Sequence, residues 1–353
     1  MNRYYCTYFD ANYLSRGVAL IRSLLLHETR PWTLYVVCLD EITRVVLEKL
    51  AFKEVRCIAL HQLEKGDKAL LNAKSNRSTT EYYWTLTPTI LQRIFEWMPN
   101  IESLTYLDSD LFFFSTPQPI FDEFGNYSVL IHEHRFPQRL KPMEAQSGKY
   151  NVGLLCFRND PKGRRVINWW RDKCNEWCYA RVEAGKYGDQ AYLNTWIDDF
   201  EDVGVLQHLG AGLAPWNYEQ YSIVPSPFGS REPASVNRLP VLFFHFHGFQ
   251  MPCQNIYVPI KKGTVYGLSQ NILLGCYFPY IRHLHETLHQ ISQYYPCRYE
   301  FLPPELINSE ITTFLAPSSE TAMLGPCVRE HARVELPFGW SCFISEKQRI
   351  LNW

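Results

Sequence analysis

Two carboxylates two residues apart, Asp108 and Asp110, close the apolar run Thr105-Tyr106-Leu107 with only Ser109 between them. On an extended chain, side chains at i and i+2 leave on the same side, so both carboxylates can converge on one hard divalent cation. A cation held there can bridge to diphosphate oxygens and offset charge on a departing nucleotide. A solvated turn after a strand is the competing reading. Position favours the cation, because ligands of open α/β sheets bind beyond the carboxyl ends of the strands.

Other segments carry reactive side chains at suggestive places. Thr7-Tyr8-Phe9-Asp10-Ala11-Asn12-Tyr13 sets a carboxylate and an aromatic at a strand-to-helix turn. They could meet a planar base there, or be a helix-capping Asp and a buried Tyr. Gly148-Lys149-Tyr150-Asn151-Val152-Gly153-Leu154 reads as a turn entering a strand, and Gly188-Asp189-Gln190 precedes an apolar helix, where Asp189 could be an N-cap. Phe244-His245-Phe246-His247-Gly248 follows a buried strand.

In their order and spacing these blocks resemble the nucleotide-sugar glycosyltransferases of the GT-A fold, most closely glycosyltransferase family 8, over about residues 3–252. The resemblance implies Mn2+ or Mg2+ held by Asp108, Asp110 and His245, with Ser109 between the two aspartates on the donor. It implies a nucleotide block of Thr7, Tyr8, Asp10 and Tyr13, with Asp10 at the base edge and Tyr13 stacked on uracil. Asn151 would hold a sugar hydroxyl, Asp189 would orient the donor, Gln190 would lie near the reacting carbon, and Arg93 stands near a sugar-contacting Arg of the family. The activity implied is transfer from a UDP-sugar to a glycan, lipid-linked or protein hydroxyl acceptor with retention, as in surface polysaccharide or lipopolysaccharide biosynthesis. One departure stands out: the family's Lys-Pro-Trp clamp on the diphosphate is Met251-Pro252-Cys253 here. Lys261, Lys262, Lys74 and Arg77 are candidate substitutes, the first two on a loop expected over 248–263.

Two other classes compete. His285-Glu286-Thr287-Leu288-His289 matches the His-Glu-x-x-His pattern of zinc metallopeptidases, with two imidazoles one helical turn apart and Glu286 as base. Against it, Tyr277, Ile281, Leu284, Leu288 and Ile291 form an apolar stripe, and a third ligand must come from His283, Glu305 or Glu310. The second is a non-catalytic sugar-nucleotide-binding relative, which the Met251 departure would suit. Cys174 and Cys178, at CxxxC spacing without a second Cys/His pair, read as core thiols and not as zinc ligands.

These residues need elements to place them. Apolar runs alternate with helical patterns: Tyr4–Phe9 then Leu14–His27, Thr33–Leu39 then Glu41–Leu50, Val55–Leu60 then about 61–73. That rhythm predicts an α/β fold with a mostly parallel sheet flanked by helices; the resemblance implies that it is a GT-A-like domain, over 1–264. Thr87-Pro88 and Asp160-Pro161 read as helix starts, residues 225–240 as a Pro-rich loop, and 265–353 as a helical extension and tail. Composition agrees: among 353 residues, 46% are hydrophobic, and 35 Lys plus Arg against 36 Asp plus Glu leave a net charge of -1. Those values exclude intrinsic disorder and argue against a nucleic-acid partner. Eleven cysteines, several inside apolar runs, and a start without an apolar leader suggest a cytoplasmic protein, at most peripheral to the inner face of a membrane.

Overall fold

The computed structural model describes residues 2–227, 229–230, 232–261, 264–296, 312–317 and 332–344. Its first half follows the alternation expected: β1 (Arg3–Phe9), α1 (Leu14–His27), β2 (Trp32–Cys38), α2 (Glu41–Leu50) and β3 (Val55–Ala59). The stretch read as one helix is two, α3 (Leu60–Glu64) and α4 (Lys68–Ser75), because Asp67 caps the second through Leu70 N at 3.0 Å. Then come α5 (Thr79–Trp97), β4 (Ser103–Leu107), β5 (Leu111–Phe113), α6 (Gln118–Phe124), β6 (Val129–Glu133), α7 (Glu144–Ser147), β7 (Tyr150–Arg158), α8 (Pro161–Glu176), α9 (Trp196–Asp199) and β8 (Val203–Val205). Seven strands form one sheet in the order β3-β2-β1-β4-β7-β6-β8. All its pairings are parallel except those of β7, which runs antiparallel to β4 and β6.

Pro88 does not start a helix; it lies inside α5. The start is set nine residues earlier by a capping box: Ser78 Oγ accepts from Glu81 N at 3.3 Å while Glu81 Oε2 accepts from Ser78 N at 2.8 Å. Burial of Tyr82, Leu86, Ile90, Leu91, Ile94 and Phe95 against the sheet outweighs the one hydrogen bond Pro88 removes. Asp160 does cap α8 as its sequence suggests, accepting from Gly163 N at 2.7 Å.

Residues 225–240 are not all loop, since β9 (Ile223–Val224), β10 (Ser235–Val236) and β11 (Leu239–Pro240) make a small antiparallel sheet. Nor is 248–263 a loop: after β12 (Phe243–His245), β13 (Gln250–Cys253) and β14 (Ile256–Val258) form a hairpin. Helical structure returns at α10 (Gln270–Ile272), passes through a π-helical turn at Leu273–Tyr277, and continues as α11 (Phe278–Ser292). Beyond this helix the chain adds β15 (Thr313–Leu315), β16 (Ala332–Glu335) and β17 (Ser341–Ile344), which no sequence periodicity had revealed. They extend the hairpin into a sheet ordered β13-β14-β15-β17-β16. No helix among the described residues is long and apolar enough to cross a membrane.

Replacing Ser78 by Ala should lower unfolding free energy by about 1 kcal/mol, read as a lower urea midpoint at constant slope. An unchanged midpoint would mean that the capping box does not hold the start of α5.

Candidate active site

The carboxyl ends of β1 and β4 open on a cleft of about 750 Å³. Its metal-competent corner is built by backbone pairing. Asp108 follows β4 directly and is tied to β7 by Asp108 N donating to Gly153 O at 2.8 Å. Asp110 precedes β5, which pairs antiparallel with β12 so that Leu111 faces His245. Phe246 N then donates to Asp110 O at 3.0 Å. Alternation along β12 sends Phe244 and Phe246 into the core and His245 toward the aspartates. His245 Nε2 lies 3.1 Å from Asp110 Oδ1 and 3.8 Å from Asp108 Oδ2.

Among the described residues, Asp108, Asp110 and His245 can point ligand atoms within 4.8 Å of one another. Two carboxylate oxygens and one imidazole nitrogen suit Mn2+ or Mg2+. Gly153 is required by this packing, for a Cβ there would stand 2.6 Å from Asn151 Oδ1 and 3.0 Å from His245 Nδ1. Burial alone would push the Asp110 carboxyl up, but His245 outweighs it and holds the group at about 2. Burial and Asp110 raise Asp108 against the pull of His245. Burial lowers the pKa of the imidazole, and the two carboxylates raise it past its ordinary value.

Asp189 forms the next wall. It is buried, and its Oδ2 accepts from Thr87 Oγ1 at 3.0 Å. Desolvation, then the field of Asp108, pushes its carboxyl up to about 7. Tyr106 donates to Asp108 Oδ1 at 2.7 Å, and Tyr8 OH reaches Thr87 Oγ1 at 3.3 Å, so hydroxyls link the two acids. Asn151 has its amide fixed: Oδ1 accepts from Gly153 N at 2.8 Å and Nδ2 lies 3.1 Å from His134 Nε2. Ser109 and Gln190 line the same cleft.

At the other end, Asp10 Oδ1 accepts from Asn12 N at 2.9 Å and Tyr13 N at 3.2 Å, so it shapes the turn into α1 while facing the cleft. Tyr13 is 43% exposed on the wall, with the Arg16 guanidinium 4.6 Å from its ring. Two expected residues are elsewhere. Thr7 is wholly buried outside the cleft wall, because strand alternation turns it away from the face carrying Tyr8. Arg93 lies farther along α5 than the cleft-facing Tyr83 and Trp84 and pairs with Asp67 at 3.3 Å and Glu96 at 2.9 Å.

Two substitutes for the absent clamp are also engaged elsewhere. Lys74 pairs with Glu64 at 2.6 Å, and Arg77 caps the end of α8 through the carbonyls of Cys174, Asn175 and Cys178. Lys261 is exposed beside Gly248, near enough to His247 to disfavour its protonation; Lys262 lies outside the described residues.

The His-Glu-x-x-His helix serves packing. His285 Nδ1 is 2.7 Å from Tyr257 OH, Glu286 is 3.9 Å from Arg22, and His289 is exposed. Among the described residues no third ligand joins the two histidines; Glu305 and Glu310 lie outside them. Cys174 and Cys178 are buried free thiols in the core. Sequence reasoning missed the aromatic wall of Trp84, Phe136, Tyr187, Trp216 and Tyr266, and also His134. Tyr187, two residues before Asp189, carried a local signal; the others come from segments with none.

The model of glycosyl transferase family 8 matches residues 6–200, and the chain belongs to that family. It is a glycosyltransferase of the GT-A fold. An uncharacterized Bacillus subtilis protein, YfnF, is 31% identical over 304 residues, covering 83% of this chain and 94% of the relative. A second from the same organism, YfnD, is 29% identical, covering 83% and 92%. Among solved structures, the galactosyltransferase LgtC in complex with donor and acceptor sugar analogs is 16% identical, covers 81% of this chain and 96% of that one, and has a TM-score of 0.48. Mouse xyloside xylosyltransferase 1 in its apo form is 14% identical, with coverages of 70% and 98% and a TM-score of 0.46.

The raised Asp189 pKa sets a stability test. The folded protein keeps a proton that the unfolded chain releases above about pH 4, so the cost of burying this carboxylate grows with pH and is complete above about pH 7. Asp189→Asn should therefore stabilise the protein at pH 8, by at most about 4 kcal/mol, and have little effect near pH 4. Urea unfolding at the two pH values measures the difference, and equal effects at both would contradict the assigned pKa.

Proposed function

We propose that this enzyme transfers a sugar from a UDP-sugar to a hydroxyl acceptor, with retention of anomeric configuration, using Mn2+ or Mg2+ held by Asp108, Asp110 and His245. The observation that carries the reading is the convergence of those three side chains in the cleft that Asp189 and Asn151 also line. When bound, the cation would offset charge on the diphosphate as it leaves. The bond from the anomeric carbon to the diphosphate breaks with its electron pair departing on UDP. The acceptor oxygen bonds that carbon and gives up its proton, which the departing diphosphate oxygen can take.

The chain's own residues orient the partners. Asp10 and Tyr13 take the base, Tyr13 by stacking, with Tyr8 and Ser109 beside the nucleotide. The Asn151 amide, held on its oxygen side by Gly153, presents an N–H to a sugar hydroxyl. Asp189, poised near neutrality, can accept from or donate to another hydroxyl, and Gln190 follows it toward the anomeric carbon. Lys261, on the His247 side, supplies the diphosphate contact that Met251 cannot make.

In this reading residues 1–264 carry the chemistry, and within 265–353 the helix α11, with Tyr277 before it, buttresses the strand that bears His245. The free thiols of the described cysteines favour a cytoplasmic setting, at or near the inner face of a membrane. The acceptor would be a glycan, a lipid-linked sugar or a protein hydroxyl, as in surface polysaccharide or lipopolysaccharide assembly.

A thermal-shift experiment tests the reading: UDP should raise Tm with Mn2+ present and not without it, and Asp110→Ala should remove the shift and the activity. Stabilisation by Zn2+ that depends on His285 and His289 would instead revive the peptidase alternative. Lys261→Ala should lower kcat/KM roughly ten- to hundred-fold, the value of a charged hydrogen bond to phosphate. If it keeps wild-type kcat/KM while Asp110→Ala is inactive, the lysine's role falls and the metal's stands.

A further inference from the structure

The charge lining the cleft restricts what can sit in it. Asp10 lies at the nucleotide end, Asp108 and Asp110 in the centre, and Asp189 beyond them. No Lys or Arg is found among the described residues lining it. Met251, standing where the clamp lysine would be, is 1% exposed and packs within the apolar core. Arg16, just behind the wall, has its guanidinium directed to backbone, donating to Phe249 O at 2.9 Å. The rest of the lining includes rings such as Trp84, Tyr187 and Trp216, the imidazoles of His134, His245 and His247, of which His245 faces the two aspartates, and the amides of Asn151, Gln146 and Gln190. Rings stack on the C–H faces of a sugar and amides bind its hydroxyls, and neither needs charge on the ligand.

On the reading of this cleft as a UDP-sugar site, we propose that it takes donors with an uncharged sugar and discriminates against uronic acids. A hexuronate differs from the matching hexose by a carboxylate in place of the C6 hydroxymethyl group. That carboxylate would enter a space already lined by the carboxylates of Asp108, Asp110 and Asp189, with no Lys or Arg among the described lining residues to pair with it. A bound divalent cation does not remove the penalty, because the diphosphate brings its own negative charge to that cation. One like charge at about 6 Å, in an effective dielectric of about 20, corresponds to roughly a hundred-fold in affinity. Solvent at the mouth of the cleft screens part of it, which leaves about ten-fold as the smallest expected effect.

The test is isothermal titration calorimetry on the full chain with Mn2+, using UDP, UDP-glucose, UDP-galactose, UDP-glucuronate and UDP-galacturonate. Each uronate should bind at least about ten-fold more weakly than its neutral counterpart. Gln146, exposed on the cleft wall, provides a second variant that does not threaten folding: Gln146→Lys should narrow that gap at least about three-fold. A uronate that binds as tightly as its neutral counterpart, while UDP itself binds, overturns the selectivity and leaves the UDP-sugar reading standing. A gap that Gln146→Lys leaves unchanged overturns its electrostatic basis. If UDP with Mn2+ does not bind at all, the UDP-sugar reading fails and this inference fails with it.

Discussion

Desolvation of three carboxylates held in one cleft, Asp108, Asp110 and Asp189, together with repulsion between them, is the constraint the rest of the structure answers to. Three acids so placed cannot all be charged without compensation, and each has a different answer. Asp110 has His245 Nε2 at 3.1 Å and stays ionised. Asp108 takes the Tyr106 hydroxyl at 2.7 Å and shares the same imidazole at 3.8 Å. Asp189, buried and accepting from Thr87 Oγ1 at 3.0 Å, is the one whose proton is retained toward neutrality. The environment thus separates acids of one chemical type into a pair facing His245 and a titrating group, a division of labour that enzymes with paired acids use generally.

Holding such groups in place requires a stiff frame, and much of it is aromatic. The β5–β12 pair that sets Asp110 beside His245 is backed on its other face by Phe112, Phe244 and Phe246. Phe246 stacks on Tyr280 of α11 with ring centroids 3.7 Å apart. Tyr277 meets both Phe244 and Phe246 edge-on, at 5.5 and 5.3 Å. The C-terminal helix is therefore part of the foundation of His245. This also accounts for the His-Glu-x-x-His pattern: its Leu288 belongs to that core, its His285 bonds Tyr257 on β14, and its Glu286 faces Arg22 of α1.

What was legible in the sequence was what is local. Asp108-Ser109-Asp110 could be placed because a strand end and an i, i+2 spacing are written in consecutive residues, and Gly188-Asp189-Gln190 likewise. The partnership of His245 with the aspartates was not local, and only the ordered resemblance supplied it. The errors have physical causes. Pro88 was a strong start signal, yet the start is set by Ser78 and Glu81 and the helix is held by its buried face. Arg93 and the cleft share α5, but its turn of the helix faces Asp67. Trp84, Phe136, Trp216 and Tyr266 come together only through folding, so no sequence window contains the wall they form.

The Met251 substitution becomes coherent in this frame. β13 carries Met251 into the same apolar cluster that supports His245, beside Phe249, whose carbonyl accepts from the buried Arg16. An ammonium at 251 would have to displace that packing or be buried without an anionic partner, at a cost of several kcal/mol. The absence of lysine there is thus tied to how the hairpin packs, and a simple exchange back to lysine would not recreate a clamp. On the proposed function, a leaving diphosphate would be neutralised from the rim, where Lys261 stands, or by a divalent cation held at the Asp108–Asp110–His245 corner. The corner is the better anchored of the two, since β4, β5, β7 and β12 all meet there, whereas Lys261 is exposed.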